Sequence, residues 1–531
     1  SSSIPTYSGG LGVLAGDHIK AAGDKSINMC AITLLYREGY FKQRVDEEGI
    51  QTETYPRFDP EPLIKQLDLN FRIRLKNRDV FIQVYKYKYF GESGHNVPIY
   101  FLDTDFEKNQ KNDKNITRRL YSGDKDHRIL QEAILGFGGI KLLQKLKQNS
   151  IKTFHMNEGH CSFLVLGLLN QYNGDIEKVR SYCHFTTHTP VPAGHDHFSL
   201  KRVEDILGNM IPANLELPSI KNKKRLHMTE LGLMYSRSAN GVSSLHGDVA
   251  QNQFPWTPIS YITNGVHHSY WMGETFRNIF DKFLPEWRIN PDTLLEIDTV
   301  PDDILLQAHQ ERKRDLLAYT NSQTGQILDP ETLTIGFARR SATYKRAQLL
   351  FYNLERLREL GHKKIQVIYS GKAHPKDDGG KELIQKIVTK SKSLFGSIKV
   401  VYLENYNMWL GKQITSGVDV WLNTPLRPNE ASGTSGMKAT LNGIPNLSVL
   451  DGWWAEGCDH DVNGWAIGDP SHPEDQKDAE HLYSLLENQI IPMFYDDRTK
   501  WVAVMKQAIK TGVRFTAFRM INEYNNKYYK V

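Results

Sequence analysis

The stretch "IKVVYLENYNMWLGKQITSGVDVWLN" (residues 398–423) decides the fold of the second half of this chain. Its two ends, 398–403 and 418–423, are short apolar runs rich in β-branched residues, which is typical of buried strands. The polar-apolar segment between them has the composition of a connecting helix. A strand, a helix and another strand in this order are typical of an α/β domain with a parallel sheet.

The same alternation extends outward on both sides of this stretch. Upstream, "LTIGFA" (333–338) and "KIQVIYSG" (364–371) are predicted strands, and 344–360 and 380–394 are predicted helices. Downstream, "PNLSVL" (445–450) completes the series. The second half is therefore predicted to be α/β with a parallel sheet.

The first half has the same pattern with more interruptions. The segments "GHNVPIYFLDTD", "SIKTFHMNEGH" and "VRSYCHFTTHTP" each place an apolar run before a polar loop, and 127–148 is a predicted helix. A segment of about 270–330, rich in charge, proline and turn residues, separates the two halves. Ligands of open α/β sheets bind beyond the carboxyl ends of the strands, so two such domains facing each other would place the site in the cleft between them.

The composition limits the classes of function. A chain of 531 residues is long enough for two large domains or several small ones. Its 40% hydrophobic and 24% charged residues are a globular composition. The net charge of +5 is small for this length, which argues against nucleic acid as the main partner. No apolar run approaches the roughly 20 residues that a membrane span needs.

The cellular location is predicted from the N-terminus and the cysteines. The first ten residues, "SSSIPTYSGG", lack both the basic and the apolar region of a secretory signal. The cysteines are widely spaced and form no CxxC pair, which fits a reducing cytoplasm. They are Cys30, Cys161, Cys183 and Cys458.

Two segments are candidates for binding an anion. The loop "YSGGLGVLAGD" (7–17) precedes a helix start, where glycines let backbone N–H groups approach an anion, although a tight turn explains it equally well. The segment 339–348 places four cations between a strand and a helix, and its position at a strand end favours an anion site over a solvated basic face. These cations are Arg339, Arg340, Lys345 and Arg346.

Two further segments are rich in side chains that bind metals or sugars. Residues 153–160 and 184–198 contain six histidines, but their spacing matches no standard zinc pattern, so hydrogen-bonding histidines are favoured and no metal is predicted. The segment 451–465 contains three tryptophans, which stack on sugar rings or, more often, pack in a core.

The segment "EASGTSGMKATLNG" (430–443) has two interpretations. In one, residues 433–436 bind a phosphate at a helix N-terminus. In the other, the Lys438 amine forms a Schiff base with an aldehyde cofactor such as pyridoxal phosphate. The segment is not a Walker loop, because Met437 separates the lysine from the glycine and the residue directly after the lysine is Ala439 instead of Ser or Thr.

Taken together, these motifs resemble the α-glucan (glycogen, starch or maltodextrin) phosphorylases over nearly the whole chain. The resemblance extends from "SGGLG" through "THTPVPAGH", "YITNGVHHSYW", "YKRAQLL" and "LENY" to "EASGTSGMKATLNG", which is the most specific motif. The sequence "DGWW" after it resembles the short bacterial and archaeal type. The family normally has a strand ahead of the first glycine-rich loop, and this chain begins without one.

The resemblance implies the GT-B glycosyltransferase architecture, an α/β fold in which two Rossmann-like domains face a cleft. Residues 1–268 would form the glucan-binding domain, without its first strand. Residues 269–510 would form the domain that binds pyridoxal phosphate. Residues 511–531 would form a C-terminal helix that crosses back to the first domain.

The reaction implied is that of α-1,4-glucan with phosphate, which gives a shortened glucan and α-glucose 1-phosphate with retention of configuration. The Lys438 imine would tether pyridoxal 5'-phosphate, whose phosphate would exchange a proton with the substrate phosphate. The partners implied are α-1,4-glucan and inorganic phosphate, without nucleic acid or membrane, and a homodimer or larger homo-oligomer is expected. The sequence contains no recognisable regulatory segment.

The resemblance also assigns roles to single residues of this sequence. The catalytic set would be Arg340, Lys345, His188 and Glu430. The cofactor would contact Lys438, Thr434, Gly433, Tyr406, Trp271 and Gly10. The substrates would contact Asn264, His188, Glu430, Gly9 and Gly10.

Two alternatives share this architecture. One is a nucleotide-sugar glucan synthase, which also carries "GGLG" near its start and basic residues before a helix. The other is a catalytically impaired glucan-binding homologue. Lys438 argues against the synthase, because a synthase has no use for an imine-forming lysine there, and the presence of the polar site residues argues against an impaired homologue.

Overall fold

The computed structural model describes residues 3–212 and 215–530 of the chain. In the second half, six parallel strands form one sheet. Numbered along the chain, their spatial order is 3-2-1-4-5-6, the doubly wound order that has its ligand crevice between strands 1 and 4. In spatial order they are Lys399–Leu403, Ile365–Ser370, Leu333–Ala338, Val420–Asn423, Asn446–Val449 and Gly464–Ile467.

The helices of the second half cover this sheet and connect its strands. They are Glu274–Phe283, Asp302–Thr324, Leu354–Gly361, Asp378–Ser393, Met408–Gly417, Thr434–Thr440, Trp454–Gly457, Asp475–Leu485, Ile491–Asp496, Arg498–Val513 and Ala517–Tyr524. The five strands predicted in this half are confirmed, and four of them are fully buried, as is typical of a parallel sheet covered on both faces.

The described part of the first half contains two four-stranded sheets and two two-stranded sheets. One sheet is parallel throughout, in the order Ser260–Tyr261, Ser238–Gly241, Cys183–Thr186 and Phe154–Asn157. The other is mixed, in the order Ala31–Leu34, Asn96–Asp103, Arg78–Phe90 and Lys65–Leu75. The two-stranded sheets are the hairpin of Lys42–Val45 with Gln51–Thr54, and the antiparallel pair of His197–Ser199 with Arg225–His227, which are distant in sequence.

The helices of the first half pack around these sheets. They are Gly10–Asp24, Lys111–Lys114, Lys125–Lys145, Phe163–Gln171, Ile176–Tyr182, Leu200–Leu207, Pro218–Lys223, Met228–Met234, Ser244–Gln253 and His268–Trp271. The helix predicted over 127–148 is confirmed as Lys125–Lys145, where the Asp124 side chain accepts a hydrogen bond from His127 N and begins the helix. None of the helices in the described ranges is both long and apolar enough to cross a membrane.

The helix predicted over 344–360 is wrong in its first part. Short 3-10 turns occupy Thr343–Lys345 and Leu349–Phe351, and the α-helix begins only at Leu354. The break lies at Arg346, whose φ is 46° and whose guanidinium donates to the carbonyl oxygens of Thr424 and Pro425. These distant contacts override the local helical pattern.

The segment of about 270–330 does not stand apart as a linker, because it packs into the core of the second half. Its longest element is the 23-residue helix Asp302–Thr324. Phe276, Trp287 and Leu305 are fully buried in the same core as strand residue Ile335. The many charged residues of this segment suggested a separator, but its apolar residues are packed inside.

The C-terminal helix Ala517–Tyr524 packs on the first helix of the chain, Gly10–Asp24. Phe518 and Ile521 share a buried cluster with Leu14. This helix is joined to the first half by backbone hydrogen bonds, in which Ala517 N donates to Val266 O and Val266 N donates to Phe515 O.

We expect Gly265→Ala to detach this C-terminal helix. A Cβ at Gly265 would lie 2.2 Å from Thr516 O, so the backbone pairing would have to open. The expected loss is about 2–4 kcal/mol in the free energy of unfolding, with faster proteolysis within residues 515–530.

Gly139→Ala is the control for this prediction, because its Cβ would meet only Ile32 side-chain atoms at 3.7 Å in ordinary contact. Equal unfolding midpoints and equal proteolysis for the two variants would contradict the importance of the close approach.

Candidate active site

A cleft of about 3070 Å³ opens at the carboxyl ends of strands Leu333–Ala338 and Val420–Asn423. Its walls come from both halves of the chain, including the glycine-rich loop at 7–12 and the segment 429–435. This is the place where a doubly wound sheet binds its ligand.

Lys438 lies in this cleft on the short helix Thr434–Thr440 and is 6% exposed. Its Nζ is 3.8 Å from the centroid of the Trp271 ring, and it has no hydrogen bond or ion pair to any described residue. Burial lowers the pKa of this amine to about 8, with Asp17 raising and Lys20 lowering it. With this pKa, about a tenth of the amine is neutral, and therefore nucleophilic, at pH 7, far more than for an ordinary lysine.

Trp271 is held rigidly beneath this amine. Its Nε1 donates to Asp17 Oδ2 over 2.8 Å, and the side chain is 1% exposed. The contact joins the first helix of the chain to the helix His268–Trp271, so the indole face has a fixed orientation.

The start of the Lys438 helix contains polar atoms that lack partners. Gly433 adopts φ 80°, a left-handed conformation that favours glycine, and it precedes Thr434 at the helix start. The Oγ atoms of Ser432 and Ser435 and the Oδ1 of Asn264 are buried without a hydrogen bond. Buried polar groups are rarely left unpaired, so these atoms fit a site that receives a polar ligand.

Gly9 and Gly10 form the opposite wall at the start of helix Gly10–Asp24. A Cβ at either position would meet no atom within 4 Å, so the cleft is open beside this backbone. Tyr406 lines the same cleft, and its burial raises the pKa of its hydroxyl to about 12, so the phenol is neutral.

Glu430 forms a buried ion cluster with two of the cations predicted from sequence. Its Oε2 accepts a hydrogen bond from Arg339 Nη2 at 2.6 Å and binds Lys345 Nζ. Burial opposes ionisation of this carboxyl, but the two cations outweigh burial and lower its pKa to about 2. Its backbone N donates to Asp451 Oδ2 at 2.9 Å.

The four cations of the predicted anion site separate in the structure. Arg340 is exposed to the cleft, and Arg339 and Lys345 line it while paired with Glu430. Arg346 lies away from the cleft, because it is buried against Asp478 at 2.7 Å.

His188 is held as a neutral hydrogen-bonding group. Its Nε2 lies 2.7 Å from Asn157 Oδ1, and its backbone N donates to Glu158 Oε2 at 2.7 Å. Burial lowers the pKa of its imidazole to about 3. The Nε2 therefore donates to the amide oxygen, and Nδ1 is left as an acceptor.

The other predicted candidates have structural roles. His155 binds the Tyr529 hydroxyl at 2.7 Å and Thr186 Oγ1 at 2.8 Å. The three tryptophans of 451–465 are at most 1% exposed, so a sugar-stacking role for them is wrong; they are Trp453, Trp454 and Trp465. Within the described ranges, no group of three or more His, Cys, Asp or Glu side chains could hold a metal ion.

Sequence reasoning missed two carboxylates near the site. Asp17 supports Trp271 from 254 positions away, and Asp451 supports the Glu430 backbone from 21 positions away. Burial and the nearby Glu430 charge raise the pKa of Asp451 to about 7. Asp17 is part of "GGLGVLAGD", but nothing in the pattern indicates that its side chain reaches a distant indole.

These features define a class of protein, a two-lobed α/β protein of GT-B architecture with a basic cleft and a buried lysine amine that has no hydrogen-bond or ion-pair partner among the described residues. A family model of carbohydrate phosphorylases matches residues 171–459. The maltodextrin phosphorylase of Thermococcus litoralis is 40% identical over 100% of this chain and 69% of its own length. The glycogen phosphorylases of Mycobacterium tuberculosis and Aquifex aeolicus are 36% and 35% identical, over 99% and 98% of this chain and 69% and 83% of theirs. The chain belongs to the carbohydrate phosphorylase family.

We expect Glu430→Gln to destabilise the protein by about 3 kcal/mol at neutral pH, because Arg339 and Lys345 would lose their buried counter-charge. Inorganic phosphate should restore part of this loss by binding the freed cations. The deficit relative to the parent should shrink as pH falls from 4.5 to about 2, where Glu430 itself becomes protonated in the folded state. Thermal unfolding with and without phosphate measures both effects.

The control is Glu487→Gln, which removes the partner of Arg356 in a surface ion pair. The Arg356 and Glu487 side chains are 34% and 37% exposed. Its effect should stay within about 0.5 kcal/mol. A Glu430→Gln protein as stable as this control would contradict the buried ion cluster.

Proposed function

We propose that this protein is an α-glucan phosphorylase. It cleaves the terminal α-1,4 bond of a glucan with inorganic phosphate and releases α-glucose 1-phosphate with retention of configuration. The observation that carries the proposal is the buried, unpaired Lys438 amine in a cleft that also holds Arg340 and unpartnered polar atoms. The family membership and the names of the relatives support the same activity.

The residues of the cleft fit pyridoxal 5'-phosphate. Lys438 would attach its aldehyde carbon, Trp271 and Tyr406 would flank it, and Thr434 with Gly433 would bind its phosphate at the helix start. The unpartnered Ser435 Oγ beside them fits the same group. When bound, this cofactor supplies a phosphate that can exchange a proton with the substrate phosphate.

The chain's own groups would hold the two substrates. Arg340 and Lys345 neutralise the charge of the substrate phosphate, which attacks the sugar on the face that the leaving oxygen departs from. The Oδ1 of Asn264 and the Nδ1 of His188 accept hydrogen bonds from sugar hydroxyls. Glu430, ionised at neutral pH, accepts another.

Gly9 and Gly10 complete the phosphate side of the site from the first half of the chain. Their lack of side chains leaves the backbone open to the cleft, so an anion can approach their N–H groups. We assign the glucan to residues 1–268, the cofactor to 269–510 and the crossing C-terminal helix to 511–531. The packing of Phe518 against Leu14 supports the last assignment.

The proposal includes a cytoplasmic location and a homodimer or larger homo-oligomer. The four cysteines are all unpaired, which agrees with a reducing compartment. The oligomer is expected from the resemblance to the family alone.

We expect purified protein to convert a linear maltodextrin and inorganic phosphate into α-glucose 1-phosphate. Phosphorus and proton nuclear magnetic resonance of the product would identify the α anomer directly. A β anomer would contradict retention. A protein that is inactive with phosphate but elongates glucan from a nucleotide sugar would establish the synthase alternative, and inactivity in both assays would favour an impaired homologue.

We expect Lys438→Ala to lose bound pyridoxal phosphate and phosphorolysis together, because the attachment atom is gone. The near-ultraviolet absorbance of the native protein and the release of glucose 1-phosphate measure the two effects. Lys412→Ala is the matched control, because burial lowers the pKa of that lysine to about 8 as well, and it should keep the cofactor. A Lys438→Ala protein that keeps both cofactor and activity would contradict the anchor assignment.

A further inference from the structure

The helix Gly10–Asp24 brings two charged side chains toward Lys438, and the proposed function gives neither of them a role. Asp17 is 1% exposed, and its Oδ1 lies 3.9 Å from Lys20 Nζ. That Oδ1 is buried without a hydrogen-bond partner, while Oδ2 accepts the Trp271 Nε1 hydrogen at 2.8 Å. A buried carboxylate held in this way needs a reason, because its desolvation is costly.

The indole of Trp271 connects Asp17 to the Lys438 amine. The hydrogen bond to Nε1 prevents the ring from turning, and the ring face lies 3.8 Å from Lys438 Nζ. The amine has no hydrogen-bond or ion-pair partner in the part of the chain that the structure describes, so the indole is what holds it. An aromatic face attracts the ammonium form and orients the side chain.

We propose that Asp17 and Lys20 are positioning residues for cofactor attachment: Asp17 fixes the Trp271 indole against Lys438, and the Asp17–Lys20 pair balances the charge around the amine. The inference rests on the proposed role of Lys438 as the anchor. In the attachment, the lone pair of the neutral amine forms a bond to the aldehyde carbon, and the aldehyde oxygen leaves as water with the two amine hydrogens. The step needs no oxidant or reductant.

The two charges act on the amine in opposite directions. Burial lowers the pKa of Lys438 to about 8, the Asp17 carboxylate raises it, and the Lys20 ammonium lowers it further. Without the Asp17 charge, the Lys20 ammonium acts alone and the pKa of Lys438 falls. Without the Lys20 charge, the Asp17 carboxylate acts alone and the pKa of Lys438 rises.

Other charged groups also lie near the Lys438 helix. Glu430 is beside Gly433 at the start of the helix and is already paired with Arg339 and Lys345, and two further helices pack against it. Lys412, on the helix Met408–Gly417, has its Nζ 5.5 Å from the centroid of the Tyr270 ring, beside Trp271 in the sequence. Two cations on the helix Arg498–Val513 are already paired with carboxylates. Lys506 binds Asp302, and Lys510 binds Asp298. Asp17 and Lys20 are therefore the charges whose removal should be felt at Lys438.

The test measures the rate at which cofactor-free protein takes up pyridoxal phosphate, followed by absorbance from about pH 6 to about pH 10. The parent, Asp17→Asn and Lys20→Met proteins are compared. The pH of half-maximal rate should fall by about half a unit or more in Asp17→Asn and rise by a similar amount in Lys20→Met. Lys25→Met is the control, directly after the end of the same helix, because Lys25 Nζ lies 5.3 Å from the centroid of the Phe518 ring, and its half-maximal pH should match the parent.

The outcomes separate this inference from the proposed function. If the parent takes up the cofactor on Lys438 but the half-maximal pH is the same in all variants, the inference is overturned and the anchor role stands. If the parent takes up no cofactor, the proposed function fails. Circular dichroism checks that each variant folds. If Asp17→Asn does not fold, Lys20→Met decides alone, because the Lys20 side chain is 14% exposed and its replacement is better tolerated. The absence of an upward shift in Lys20→Met would then overturn the inference.

Discussion

The contact between the Lys438 amine and the Trp271 ring joins distant parts of the chain, and the chemistry of the cleft depends on it. A buried ammonium without a hydrogen bond is unstable, so burial favours the neutral, nucleophilic form. The indole offsets part of the cost and holds the amine in place. Asp17 on the first helix fixes that indole. The surroundings of the Lys438 amine therefore form only when the helix Gly10–Asp24 packs against the helix His268–Trp271.

The charged side chains that line the cleft hold one another in fixed positions. Glu430 holds Arg339 and Lys345 in a buried cluster, and Arg340 stays exposed to the open space. Fixed cations in a cleft of low dielectric attract and stabilise phosphate groups more strongly than mobile cations in water. The side of the cleft where we propose that the glucan binds is different, because His188 is neutral and Asn264 has an unpartnered oxygen, and both suit an uncharged sugar.

The parts of the fold that depend on local sequence could be predicted, and those that depend on distant contacts could not. The strands at 333–338 and 364–371 could be predicted because each is a short apolar run with β-branched residues, which is typical of a buried strand. The helix expected over 344–360 begins late because Arg346 binds carbonyl oxygens about 80 positions away. The motif around Lys438 was recognisable from sequence, whereas the support that Asp17 and Asp451 give to the site is visible only in three dimensions.

The most direct test of the account is to reduce the native protein with borohydride under mildly denaturing conditions and to locate the modified lysine by peptide mass spectrometry. The account predicts a pyridoxyl-phosphate adduct on Lys438, in the peptide that contains "EASGTSGMK", at close to one adduct per chain. An unmodified Lys438, or an adduct on a different lysine, would contradict it.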